Sequence, residues 1–529
     1  MMVGHRSSRA DLNWLMQKWN VDIEAIDGLD ALLDSMRATY SRVDALAEAK
    51  LPKSASAAPW TVERVAGSDP HHAWMFRTKH QASGSGTLAD LRLAVKDSIA
   101  VAGVPMTAGS NFLQGFTPGR SAVSVERALE AGATLVGTAV CEGLCYSGSS
   151  FTSATGPVLN PHDPERSAGG STSGCGALLA TQQADIALGT DLGGSVRNPA
   201  AWCGVMALKP TFGVVPYTGA LATEFSMDHL GLMARDAGSL ARLLNAVAGP
   251  DTGDPRQAGV AALRGDAGGI HGDVSDLRIG IVTDGFGWPD RSDPRVDAAV
   301  RNAVEALARL CAGARETSVA LHRSARDIHV PISCEGGLAT VFEQNSQGSN
   351  HPGYYDGELA QAFGDALENN IDLLPLNGTV SLIAGTVLRH ETRSRVLAAA
   401  QALRVVLRQQ YDAALEEFDV LVMPTVPMLP HRLPKGPLAP ADHQRLAFEM
   451  HDNNCATNLT GHPALSVPCA MIDGLPVGML LIGRHLDDHL LLRLAHRFQN
   501  EVFASPSPKA SGAHRDVEPG KEFRHDRAT

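Results

Sequence analysis

The sequence predicts an α/β protein, with one large domain built on a mostly parallel β-sheet and helices on its faces. Three observations point there. From residue 91 onward, short strand-like runs alternate with helix-like ones, the pattern of strands connected through helices. Hydrophobic residues make up 44% of the chain and charged residues 19%, which is ordinary globular composition. The 52 glycines, set against only 5% aromatic residues, indicate tight packing with many glycine turns. At 529 residues the chain is longer than a single growing core accommodates, so appended elements are expected.

Residues 11–49 read as helices, because Leu12, Leu15 and Met16, then Leu29, Leu32, Leu33 and Met36, recur at helical spacing. Segments 51–70 and 80–87 are rich in Pro, Ser, Ala and Gly and read as connectors. Residues 1–88 are therefore expected to form a small N-terminal helical region. From Leu91 the period becomes two: Leu91, Leu93 and Val95 alternate with Arg92, Ala94 and Lys96. That is a strand, with Lys96 on its second face near the C-terminal end. Residues 126–133 and 174–183 read as helices, and 134–140, 185–190 and 205–209 as strands. Strand 277–282 precedes a helix with Asp293 at the N-cap, Pro294 at N1, and Val296, Val300, Val304 and Leu307 on one face. Residues 419–424 form another strand, and the apolar runs flanking Asp473–Gly474 form a hairpin. The main domain is thus expected over 89–505. Residues 313–380 break the alternation and read either as a cap over a site or as a surface insertion. The tail, 506–529, is polar and reads as disordered.

A net charge of −12 argues against a nucleic-acid or anionic-membrane surface. There is no apolar run of about twenty residues and no signal-peptide pattern at the start, so a cytoplasmic, non-membrane protein is expected. The eight cysteines (Cys141, Cys145, Cys175, Cys203, Cys311, Cys334, Cys455 and Cys469) contain no CxxC pair, which disfavours a disulfide scaffold or a zinc site. Cys141 and Cys145 could share a helix face; buried reduced thiols are the expectation.

Three residues carry chemistry. Lys96 lies in LAVKD, Ser171 in GGSTSG and Ser195 in GTDLGGSVRNPA. Two serines presented by glycine turns, with one lysine as base, make an acyl-transfer apparatus that needs no histidine. Glycines before Ser195 let bare backbone approach a substrate carbonyl, so the N–H groups of Leu192, Gly193, Gly194 and Ser195 could hold an oxyanion. Each string also has a plainer reading. GTDLGGS suits any strand-to-helix turn, GGSTSG a linker or helix cap, and Lys96 a surface lysine. GGSTSG is no P-loop, since no lysine follows it. As a base, Lys96 must be neutral, which requires burial. His71 and His72 lie in a connector, and His229 has no evident serine partner. Cys203, a rival nucleophile, sits among apolar residues and reads as a core thiol.

In combination, the order and spacing of these strings resemble the amidase signature family of Ser–Ser–Lys hydrolases. The resemblance extends over residues 189–213, 94–110, 141–151, 215–220, 418–427 and 461–468, and is nearest to enantioselective amidases encoded beside nitrile hydratases. It implies the amidase signature fold, a large mixed, mostly parallel sheet sandwiched by helices. It further implies Ser195 as nucleophile, Ser171 as a bridging serine on a cis peptide, and Lys96 as general base. Asp191 and Arg197 would form a supporting ion pair. Ser147, Gly148, Ser149 and Gly170 would line the substrate pocket, although a structural turn suits 147–149 equally. The family usually has Gly-Gly-Ser-Ser-Gly-Gly, whereas this chain places Thr172 and Ser173 after Ser171. Ser173 stands where a bare glycine is usual.

The implied activity is hydrolysis of small uncharged amides to a carboxylic acid and ammonia or an amine, with no metal or organic cofactor. A carbamate (urethane) or aryl-acylamide hydrolase would carry the same triad. Further alternatives are a scaffold that has lost catalysis and a glutaminase-type amidotransferase subunit. By resemblance, the N-terminal region helps form a homodimer.

Overall fold

The computed structural model describes residues 29–50, 60–64, 69–80, 84–257, 269–349 and 351–503. The expected helix around Leu12, Leu15 and Met16 and the tail 506–529 lie outside the described residues. The chain divides into two units, 1–56 and 57–529. In the first, Leu29–Lys50 is one helix, with Asp30 in its first turn, where a negative charge complements the helix dipole. Leu32, Met36 and Tyr40 recur every fourth residue along it and are exposed.

The second unit is organised on a twelve-stranded sheet. Its first strands are β1 (Trp60–Arg64), β2 (Trp74–His80), β3 (Arg92–Lys96) and β4 (Thr134–Ala139). A separate ribbon follows, of β5 (Leu159–Asn160) and β6 (Asp163–Ser167). The sheet resumes with β7 (Ile186–Asp191), β8 (Met206–Lys209), β9 (His229–Ala234) and β10 (Ile279–Val282). It ends with β11 (Ala314–Thr317), β12 (Val420–Pro424), β13 (Ala464–Ile472) and β14 (Leu475–Ile482). Across the sheet the order is β1-β2-β4-β3-β7-β9-β8-β13-β14-β12-β10-β11.

The α/β class and the mixed sheet flanked by helices are as expected; the share of parallel strands is smaller. Parallel pairing is confined to β3 with β4 and β7, and β10 with β11 and β12. The other seven pairings are antiparallel. Alternating strands and helices along a chain does not fix direction: β8 follows β7 through a helix, yet pairs with β9 and β13. The segment expected as connector and helical region also contributes to the sheet, as β1 and β2. In β2 only Trp74 and Thr78 are buried, between charged and half-buried neighbours, so a period of two is not visible.

Elsewhere the local signals hold. Asp293 caps helix Pro294–Ala308 by accepting from the Arg295 N–H, and Val296, Val300, Val304 and Leu307 are its buried face. β13 and β14 turn at Asp473–Gly474, both with positive φ (52° and 81°). On β3, Leu93 and Val95 enter the main core, while Ala94 enters a second core with Ala187, Ala207 and Met233. That small-residue face admits helix Ser173–Ala180, all of whose residues are buried. The helix in turn carries the Ser171 loop to the end of β3.

Candidate active site

Lys96 is fully buried at the end of β3. Its Nζ lies 2.8 Å from Ser171 Oγ and 2.7 Å from Thr190 Oγ1. Among the described residues it makes no ion pair. The Gly170–Ser171 peptide is cis. Around it, the Gly170 N–H donates to Gly148 O at 2.7 Å and the Glu142 N–H to Ser171 O at 3.2 Å. A Cβ on Gly170 would run into the Ser149 carbonyl, so only glycine fits there.

Ser173 has a partner that accounts for its hydroxyl. Its Oγ donates to Glu142 Oε1 at 3.2 Å, while Glu142 Oε2 accepts from Thr152 N–H and Oγ1 at 2.8 and 2.7 Å. Burial pushes the Glu142 carboxyl up to about 7, since a charge without water is costly. Thr172 N–H donates to Ser195 O at 3.0 Å, tying the two serine loops together.

Ser195 sits between β7 and helix Arg197–Cys203. Asp191 and Arg197 frame this turn as a fully buried ion pair, with contacts of 2.8 and 3.0 Å. Arg197 also donates to Thr457 Oγ1 and Asn458 Oδ1, each at 2.7 Å. Burial alone would raise the Asp191 carboxyl, but the Arg197 charge and hydrogen bonds hold it well below the usual range. Asp191 Oδ1 accepts the Gly194 N–H at 2.8 Å, so one of the four expected oxyanion donors is already engaged. The N–H groups of Leu192, Gly193 and Ser195 make no protein hydrogen bond among the described residues.

These groups open into a cavity of about 600 Å³. Ser171, Thr190 and Ser195 line it, with Tyr146, Val330, Val380 and Phe448 as apolar walls. Segment 313–380 supplies Arg326, His329, Ser333, Cys334 and Asn377 as well, so it is a wall of this cavity. The charged lining residues are largely paired: Arg291 and Arg326 with Asp452, at 2.6 and 3.3 Å, and Arg445 with Glu449 at 2.9 Å. Among the expected pocket residues, Ser147 lines the cavity. Gly148, Ser149 and Gly170 build the structure behind it; Ser149 Oγ is engaged with Ser167 and His431.

Cys203 is buried and donates to Ala168 O at 3.3 Å; burial drives its thiol well above the ordinary value. His229 is buried away from the cavity lining. Cys141 is buried, and Cys145, which ends the short turn Gly143–Cys145, lines the cavity; both are free thiols. Two cavity histidines, His329 and His451, were not anticipated. Each lies outside any recognisable motif, and the fold alone brings them to the Ser195 loop. Among the described residues, no group of three or more His, Cys, Asp or Glu side chains could hold a metal. No described helix is long and apolar enough to cross a membrane.

Comparison with known proteins shows the family and the fold. The amidase family model matches residues 65–492. An enantioselective amidase of Rhodococcus rhodochrous is 39% identical over 459 residues, covering 85% of this chain and 86% of the relative. A glutamyl-tRNA(Gln) amidotransferase subunit from Methanosarcina acetivorans is 34% identical over 425 residues, covering 79% and 85%. Among solved structures, the corresponding amidotransferase subunit from Thermotoga maritima superposes with a TM-score of 0.69 at 25% identity, covering 84% of this chain and 92% of that one. A 6-aminohexanoate cyclic dimer hydrolase shares the fold, with a TM-score of 0.70 at 24% identity over 80% and 88%. With its fold, its serine loops and a family match over most of its length, the chain belongs to the amidase signature family and is a hydrolytic amidase.

Proposed function

We propose that this amidase cleaves small uncharged amides through Ser195, Ser171 and Lys96. The observation that carries the reading is the buried contact of Lys96 Nζ with Ser171 Oγ, 2.8 Å, with Ser171 and Ser195 lining one cavity. In this relay Lys96 takes the proton of Ser171, which takes that of Ser195, and Ser195 Oγ attacks the amide carbon. The oxyanion rests on the free N–H groups of Leu192, Gly193 and Ser195, preorganised donors of the kind that most lower such barriers. The proton returns through Ser171 to the leaving nitrogen, and ammonia or an amine departs. Water, activated by the same relay, then releases the carboxylic acid.

Apolar walls and mutually paired charges favour an uncharged substrate, with room for an aryl group. Carbamates present the same acyl carbon. The test is hydrolysis of a matched amide, carbamate and ester by the purified chain, with Ser195→Ala, Ser171→Ala and Lys96→Ala alongside. Loss of cleavage in all three variants supports the relay, and the substrate ranking identifies the preferred acyl group. Full activity in Ser195→Ala would exclude it. Activity in the absence of other protein chains would separate this reading from a role within an amidotransferase.

A further inference from the structure

Two histidines from distant segments converge on the Ser195 loop. His329 lies in helix Ala325–Pro331 and His451 ends the turn Glu449–His451. His329 Nε2 is 3.1 Å from the Leu192 carbonyl oxygen; only an N–H can bond there, so this ring carries its proton on Nε2. His451 Nδ1 is 3.1 Å from the Phe448 carbonyl oxygen. By the same reasoning its proton is on Nδ1, and Nε2 is a bare acceptor. No partner for that nitrogen exists among the described residues, and the ring lines the cavity. Burial keeps both rings neutral, lowering His329 to about 4 and His451 to about 3.

The His451 ring is wedged between two glycines. A Cβ on Gly148 would lie 2.5 Å from its Cε1 and 2.8 Å from its Nε2, and one on Gly193 would lie 3.2 Å from its Cδ2. Gly193 belongs to the nucleophile loop. The Gly148 carbonyl accepts from Gly170, the residue before Ser171. The ring thus bridges the nucleophile loop and the loop tied to the serine that would return the proton.

We propose that His451 Nε2 accepts a hydrogen bond from the N–H of the scissile amide, which makes it a residue selecting amides over esters. The inference rests on Ser195 and Ser171 acting as set out above. As Ser195 adds, the amide nitrogen loses conjugation and becomes pyramidal. Its lone pair must face the proton arriving from Ser171, so its N–H must face elsewhere. A fixed acceptor stabilises that arrangement, and an ester oxygen has no hydrogen to offer it. His451 moves no proton in this scheme. His329 is a positioning residue: by holding the Leu192 carbonyl, it orients the following Gly193 N–H.

The test compares kcat/KM of wild type, His451→Leu and His451→Gln on an anilide and on the phenyl ester of the same acid. His451→Leu removes the acceptor at similar bulk, and is expected to lower amide turnover about 10- to 100-fold, the effect of leaving one buried polar group unpaired. The ester loss should be at least fivefold smaller, and His451→Gln, with a carbonyl acceptor, should recover part of the amide rate. The N-methyl anilide, which lacks the N–H, should lose no more than the ester. Equal losses on all three substrates, or an unchanged amide rate in His451→Leu, would overturn the proposal. If His451→Leu does not fold, His451→Val, which also lacks an acceptor, carries the same comparison against His451→Gln. Ser195→Ala, run in parallel, reports on the underlying reading separately: if that reading fails, the variant still turns over every substrate.

Discussion

Lys96 is a buried amine with two hydroxyl partners and no ion pair among the described residues, and that setting decides what its removal does. Lys96→Ala and Ser195→Ala are each expected to lower amide kcat/KM by about 10³-fold or more, as when a member of a catalytic relay is lost. Asp191 acts differently. Asp191→Ala leaves Arg197 charged and fully buried, which should cost about 3–5 kcal/mol in denaturant unfolding. The histidines give a pH signature. His329 and His451 fall from an ordinary 6.5 to about 4 and about 3 on folding. With lowered folded values, their contribution is full above pH 6.5 and is lost as pH falls towards 4. Asp97 and Glu142, raised by burial to about 7, act in the opposite sense, so only a comparison isolates the effect. His451→Gln should therefore lose less Tm than wild type between pH 6.5 and 4.5; parallel curves would contradict this. Lys96, Ser171 and Ser195 could be singled out in the sequence because their three strings occur together in a family-like order and spacing, although each string alone has a plainer reading. His329 and His451 have no such string, and only the packing of segment 313–380 and the turn at 449–451 brings them to the loop.

At the scale of elements, turn and cap chemistry was the most readable. Asp473–Gly474 marks the hairpin because both positions need positive φ, which Asp tolerates and Gly favours. Nothing lies within 4 Å of a Cβ added at Gly474. Gly474→Ala should thus cost only its left-handed backbone, about 1–2 kcal/mol by chemical denaturation; no change in midpoint would mean that the turn relaxes. β3 was readable from alternation, because its two faces meet different cores. β1 and β2 were not, since they lie at one end of the sheet and carry charged side chains. Strand direction was also out of reach, because it follows from which neighbour a strand finds across the sheet. Ser173 shows the reverse case: a departure visible in sequence whose reason, a buried Glu142, needed the structure.

For the whole molecule, the sheet and its helices bring two chain segments to one cavity, the loop before helix Ser173–Ala180 and the turn after β7, and a third, the end of β3, places Lys96 buried behind Ser171. The family match covers 65–492, which includes all three. Relatives named as an enantioselective amidase and as components of an amidotransferase both align over most of the chain, so shared fold cannot rank their substrates. On the proposed mechanism, this chain alone hydrolyses an amide through Ser195 activated by the Ser171–Lys96 pair. The most direct measurement is release of p-nitroaniline from a small acyl anilide by the purified chain, beside folded Ser195→Ala and Lys96→Ala variants. Steady turnover is expected in the wild type and near-background release in both variants. Turnover persisting at the wild-type rate in Ser195→Ala would contradict it.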